Sequence, residues 1–244
     1  MKVGLFIPCY IDQLYPQVGI ATYQLLKNTG CDVAFPMEQT CCGQPMANAG
    51  FARITGDCDR NFIKHFKDFE YVVCPSGSCV LHLKEHLHGD DTEMVKALTS
   101  RIYELCEFLT DVLRPPSLNS QFPFRVGLHT SCHGQRGLHL ASNSETIGES
   151  FSKPAQLLSM VSGLTLLKPR RWDECCGFGG TFCVTEEAVS VAMGADRIEE
   201  HEENNVDYIT GADMSCLMHL EGLLKRKKSR VQVLHISEIL NHQG

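Results

Sequence analysis

Short apolar runs alternate with amphipathic stretches along the chain. Val3–Ile7, Asp32–Phe35 and Tyr71–Val73 have strand length, and Val126–His129, Leu164–Leu167 and Tyr208–Thr210 have it further on. Between them lie helical patterns. Pro16 suits a first helical position, Val18, Ala21 and Leu25 share one face, and Gly30 supplies a stop. Pro154 opens a similar segment with Leu157, Leu158 and Val161, closed by Gly163. Val95, Leu98, Ile102, Leu105, Leu109 and Val112 recur at spacings of three and four, which predicts one core-facing helix. Strands alternating with helices predict an α/β protein with mostly parallel sheets and flanking helices.

The pattern occurs twice. "VGLFIPCYIDQ" (Val3 to Gln13) matches "VGLHTSCHGQR" (Val126 to Arg136) and pairs Cys9 with Cys132. "TCCG" and "ECCG" pair Cys41 and Cys42 with Cys175 and Cys176. "YVVCPSGSCVLHL" (Tyr71 to Leu83) aligns without gaps on "YITGADMSCLMHL" (Tyr208 to Leu220), pairing Cys79 with Cys216 and His82 with His219. "ELCEFL" (Glu104 to Leu109) echoes "HISEIL" (His235 to Leu240). Landmarks repeated in one order predict two tandem, pseudo-symmetric halves, 1–114 and 124–244, joined by the linker "RPPSLNSQFP".

Composition narrows the chemistry. The 244 residues are 43% hydrophobic and 21% charged, with a formal net charge of -7. Nucleic acid and anionic membranes are not expected partners of such a chain. "MKVGLFIPCY" lacks the apolar core and cleavage site of a signal peptide, and no run is long enough to cross a bilayer. A cytoplasmic setting follows as an expectation. The 13 cysteines are the anomaly. Their odd number and the chain length argue against a secreted disulfide framework and for metal or redox chemistry.

Cys9, Cys41, Cys42 and Cys79 each follow a predicted strand, and so do Cys132, Cys175, Cys176 and Cys216. A parallel sheet brings such positions to one edge. A disulfide between adjacent cysteines is strained, because neighbouring Cα atoms are about 3.8 Å apart and disulfides need roughly 4.4–6.8 Å. Thiolates suit iron–sulfur clusters, zinc or Cu(I). Adjacent thiols on a glycine turn favour a cluster, whose width lets neighbours reach different irons, over a single zinc ion. Cys31, Cys58 and Cys106 lie outside the repeat and read as buried core cysteines, and Cys183 as structural.

These residues resemble the cysteine-rich CCG domain family, which occurs in heterodisulfide reductase and in iron–sulfur subunits of glycolate oxidase and anaerobic glycerol-3-phosphate dehydrogenase. The resemblance covers nearly the whole chain. It implies an iron–sulfur cluster, [4Fe–4S] in type, in one or both halves, with zinc the alternative in one. It further implies electron transfer in oxidation of L-lactate to pyruvate, with a ferredoxin-type iron–sulfur protein and a third subunit as partners. The cofactor ligands it implies are Cys9, Cys41, Cys42, Cys79 and also Cys74 in the first half, and Cys132, Cys175, Cys176 and Cys216 in the second. In the heterodisulfide reductase branch each motif ends in C-x-x-C and holds a noncubane cluster. Here Cys74 and Cys79 are spaced differently, and Gly211 replaces the first of them in the second half. A non-redox zinc-binding interaction subunit and a disulfide reductase acting through the CCG thiols are the alternative functions. No glycine-rich dinucleotide fingerprint is present in the sequence.

Several other residues are candidates. His82 and His219 would either complete a Cys₃His set or pack as hydrogen-bonded helix residues. His129 and His133, flanking Cys132, would either serve the site or stand as a strand-end and a loop histidine. Arg136, Arg170 and Arg171 would meet a substrate carboxylate or be solvated. "KRKKSR" (Lys225 to Arg230) suits a helix C-terminus. "HEEN" (His201 to Asn204) reads as a solvated helix end.

Overall fold

The computed structural model describes residues 1–145 and 147–243. Backbone contacts divide them into compact units, Met1–Leu113 and Arg114–Gly244. Each unit is built on a four-stranded, wholly parallel sheet with helices around it.

In the first unit β1 (Lys2–Leu5), β2 (Asp32–Ala34), β3 (Tyr71–Cys74) and β4 (Ile102–Glu104) lie in the order β2-β1-β3-β4. In the second, β5 (Arg125–Leu128), β6 (Thr165–Leu167), β7 (Tyr208–Gly211) and β8 (Gln232–His235) repeat it as β6-β5-β7-β8. The register repeats too: Val3 faces Val33 and Tyr71 across the ladder, and Val126 faces Leu166 and Tyr208. Covered on both faces, the central strands read as unbroken apolar runs rather than as alternation. The chain leaves β1 for β2 on one side and returns to β3 on the other. That reversal opens a crevice at the carboxyl ends of β1 and β3, and of β5 and β7.

Helix boundaries follow local chemistry. Pro16–Asn28 has proline in its first turn and buries Val18, Ala21, Leu25 and Leu26, and Gly30 beyond its end has φ of 86°. Gly77–His86 begins where the Ser76 hydroxyl accepts from the Cys79 amide, and Met214–Lys227 where the Asp213 carboxylate accepts from the Ser215 amide. The basic run does end a helix, with Lys225, Arg226 and Lys227 in the last turn.

The apolar spacing from Val95 to Val112 is not one helix. Thr92–Thr99 is helical, Ile102–Glu104 is β4, and a new helix starts at Leu105. Ile102 continues the spacing by coincidence while pairing with Val72. The break is enforced by Glu104, whose carboxyl oxygen accepts from the Cys106 and Glu107 amides while the Glu107 carboxylate accepts from the Glu104 amide. His235 and Glu238 build the same reciprocal cap after β8. The "ELCEFL" and "HISEIL" echo is this shared strand-to-helix corner.

The units differ beneath β1 and β5. In the first, Phe6 meets the ring of Phe62 at 5.2 Å and of Phe66 at 5.6 Å, both edge-on. In the second, the matching positions are His129, Arg197 and His201. Phe62 and Phe66 sit one turn apart on Gly56–Phe66, as Arg197 and His201 do on Glu187–Glu203. A side chain added at Gly4 would strike Phe66 and Phe69, and one added at Gly127 would strike His201 and Val206. "HEEN" is therefore not wholly a solvated end, since His201 is fully buried over Gly127.

Candidate metal centre

In the first unit the crevice collects sulfur. Cys9 opens the helix Cys9–Leu14 just beyond β1, Cys79 lies in the first turn of Gly77–His86 beyond β3, and Cys41 and Cys42 lie on the loop after β2. The Cys9 and Cys41 sulfurs are 3.7 Å apart, Cys41 bonds on to Cys42, and Cys42 to Cys79. Cys132, Cys175, Cys176 and Cys216 form the same row in the second unit. Residues remote in sequence thus converge twice on one sheet edge.

The glycine of each CCG is required by geometry. Gly43 has φ of 89° and Gly177 of 87°, and their amides donate to the Cys41 and Cys175 sulfurs at 3.4 Å. A Cβ on Gly177 would lie 2.6 Å from the Ser190 carbonyl oxygen, and one on Gly43 would lie 3.1 Å from Thr55 Cβ.

Crowding splits the thiols by role. Hydrogen bonds from Cys42 and Cys9 hold Cys41 far below the usual thiol range, while Cys9 and Cys42 are pushed well above it as donors to that thiolate. Cys175 is lowered by bonds from Cys132 and Cys176, and both of those are raised. A metal cation bound at either row would displace the protons that these thiols hold.

Histidines ring both rows. His82 bonds to the Cys42 carbonyl, and its pKa is lowered by burial more than Cys41 restores it. His219 Nε2 lies 3.3 Å from the Ser190 carbonyl. Both are packed, hydrogen-bonded helix residues within electrostatic reach of Cys41 and Cys175 respectively. His133 Nδ1 is 3.7 Å from the Cys132 sulfur. His129 is closer to the metal-ligating geometry: its ring nitrogen and the Cys176 and Cys216 sulfurs all lie within 4.8 Å of one another, and all three residues are buried. Burial, with Arg197 next, lowers the His129 pKa to about 4, leaving a neutral imidazole.

The other candidates are elsewhere. Cys74 ends β3, fully buried, with its thiol 3.9 Å from the Ser76 carbonyl. Arg136 pairs with Glu145 at 2.9 Å, and Arg171 pairs with Glu174 and Glu200. Cys183 donates to the Gly180 carbonyl at 3.0 Å. Cys31 and Cys106 are core residues. Cys58 is not: it is half-buried, its thiol feels the Cys41 charge, and Gly43 packs against it. Cys58 has no counterpart in the repeat, so spacing gave no sign of it. None of the 13 cysteines is in a disulfide.

The cysteine-rich domain family, CCG, matches residues 3–84 and 126–221, one match in each sheet unit. The chain belongs to that family. Among its relatives, lactate utilization protein A of Geobacillus thermodenitrificans is 42% identical over 249 residues, covering 100% of both chains. The protein of that name from Halalkalibacterium halodurans is 42% identical, covering 100% of this chain and 98% of its own. That from Bacillus subtilis is 39% identical, covering 99% of each. The CCG of the family name is, in each unit here, the turn that places a cysteine sulfur beside a glycine amide. No helix among the described residues is long and apolar enough to cross a membrane.

Proposed function

We propose that this chain is an iron–sulfur electron-transfer subunit of a system oxidising L-lactate to pyruvate. The observation that supports it best is the same sulfur row built twice on CCG turns, in a chain whose full-length relatives are named for lactate utilization. Cys9, Cys41, Cys42 and Cys79 would hold the group in the first half, with Cys74 as a further candidate and Cys58 beside it. Cys132, Cys175, Cys176 and Cys216 would hold it in the second. The residues suit such a group: soft donors converge from separate elements, and in each row a glycine amide donates to sulfur. An iron–sulfur cluster bound there supplies one-electron acceptance and donation. The chain's own part is to fix the sulfurs, to neutralise their charge with amide donors, and to shield the inner thiols from water.

In this reading a ferredoxin-type iron–sulfur protein and a third subunit complete the path, and the system works in the reducing cytoplasm, where free thiols persist. Purification without oxygen, followed by iron, sulfide and zinc analysis, tests it. Iron with acid-labile sulfide is expected. Zinc without sulfide would overturn the reading in favour of a structural zinc subunit. If Cys41→Ser abolished disulfide reduction and left lactate oxidation intact, chemistry at the thiols themselves would replace it.

A further inference from the structure

The two sulfur rows are not equivalent in what surrounds them. Against the first stand an aromatic cluster, Phe6, Phe62 and Phe66, and an additional thiol, Cys58. Against the second, the matching places hold His129, Arg197 and His201, and Met193 takes the place of Cys58 beside the CCG glycine. Buried polar groups are costly unless paired. Arg197 is paired: it bonds to Glu200 and to the Arg171 carbonyl. His129 is not. It is 3% exposed, and neither Nδ1 nor Nε2 has a hydrogen-bond partner among the described residues; His201 is orphaned in the same way, and of the two it is His129 that stands with the sulfurs. A phenylalanine fills the same place in the first half at no such cost. The imidazole stands within 4.8 Å of the Cys176 and Cys216 sulfurs, and all three residues are buried.

We propose that His129 is a metal ligand, joining Cys176 and Cys216 on one metal, so that the second half holds its group through nitrogen and sulfur while the first is held by sulfur alone. The inference rests on the metal-binding reading of these rows but not on the metal being iron. Iron and zinc both accept such a donor set. Gly211 supports the assignment. It stands where the first half has Cys74, and a Cβ there would lie 2.8 Å from the His129 carbonyl oxygen. The second half has no thiol at that place, and the backbone of His129 lies against the strand end. Replacing a thiolate by a neutral imidazole makes the bound group less negative and raises its reduction potential if it is redox-active.

The test uses the full-length protein, prepared without oxygen in two forms: reconstituted with ferrous iron and sulfide, and reconstituted with Zn²⁺ alone. The iron form, reduced with dithionite, is measured by pulsed EPR with natural-abundance and with ¹⁵N-histidine protein. The zinc form is measured by X-ray absorption. A histidine nitrogen bound directly to the metal in either form, retained in Cys41→Ser and lost in His129→Phe, is expected. Coordination by sulfur only, in both forms, overturns the proposal on unsubstituted protein; if His129→Phe does not fold, nitrogen retained in both His133→Phe and His219→Phe supports His129, and nitrogen lost in either overturns it. Nitrogen that survives His129→Phe in folded protein also overturns it. Failure here differs from failure of the electron-transfer reading: a sulfur-only cluster refutes the ligand and keeps that reading, whereas nitrogen-bound zinc with no cluster formed does the reverse.

Discussion

Phe6 and His129 occupy the same place after the first strand of their halves, and single atoms decide what each can do. The same economy holds at the CCG glycines. Replacing Gly177 by alanine forces a Cβ against a backbone carbonyl at 2.6 Å in a left-handed conformation, whereas at Gly43 the obstacle is the Thr55 side chain at 3.1 Å. Left-handed backbone costs an L-residue roughly 1–2 kcal/mol before any clash. Gly177→Ala is therefore expected to lose metal in the second half, and Gly43→Ala to weaken but retain it in the first, as read by metal content per chain. Arg197 adds a third case at this scale. Removing one partner of a buried ion pair costs about 3–5 kcal/mol. Arg197→Met, which leaves Glu200 buried without its closest partner, should lower the urea midpoint accordingly, with fluorescence or circular dichroism following the transition.

The strand-to-helix corners carry the predictions that belong to elements. At the end of β4, burial raises the Glu104 carboxyl from 4.5 to about 8, against the pull of the Glu107 and Cys106 amides. The folded state keeps a proton that the unfolded chain gives up near its ordinary pKa. Its contribution to stability is complete below that value and declines as pH rises through about 8. Glu104→Gln should flatten this decline, visible as a smaller drop in melting temperature between mildly acid and alkaline buffers. The aromatic cluster is a second elemental test: Phe6→Ala should cost about 3–5 kcal/mol by opening a cavity between Phe62 and Phe66.

Elements also show what the sequence discloses. The first strands of each half, and the cysteines after them, are legible because a buried parallel strand is a short apolar run and because the repeat marks the same landmarks twice. β4 is illegible because Ile102 continues a helical spacing. The buried trio is hidden for a different reason. Arg197 and His201 sit in "ADRIEEHEEN", whose charges suggest a solvated face, and only the tertiary fold lays them, with Glu200, inside. One sign does exist: aligning Val3–Gln13 on Val126–Arg136 sets His129 opposite Phe6, an apolar core position.

At the scale of the molecule, each unit has its own sheet, its own switch point and its own row of sulfurs. Losses should therefore be separable. Cys41→Ser and Cys175→Ser are each expected to remove only their own half's share of bound metal, and the double variant to remove both, measured as metal per folded chain. A total loss from either single substitution would mean that the rows depend on one another.

Each row also has a wet end and a dry end. Cys9 and Cys41 are half-buried while Cys42 and Cys79 are buried, and Cys132 and Cys175 stand to Cys176 and Cys216 in the same way. Oxygen and electrophiles must approach from the wet end, so wear begins there. A brief pulse of iodoacetamide on metal-free protein, read by peptide mass, should tag Cys41 and Cys175, half-buried and with lowered pKa, before the buried pair of each half.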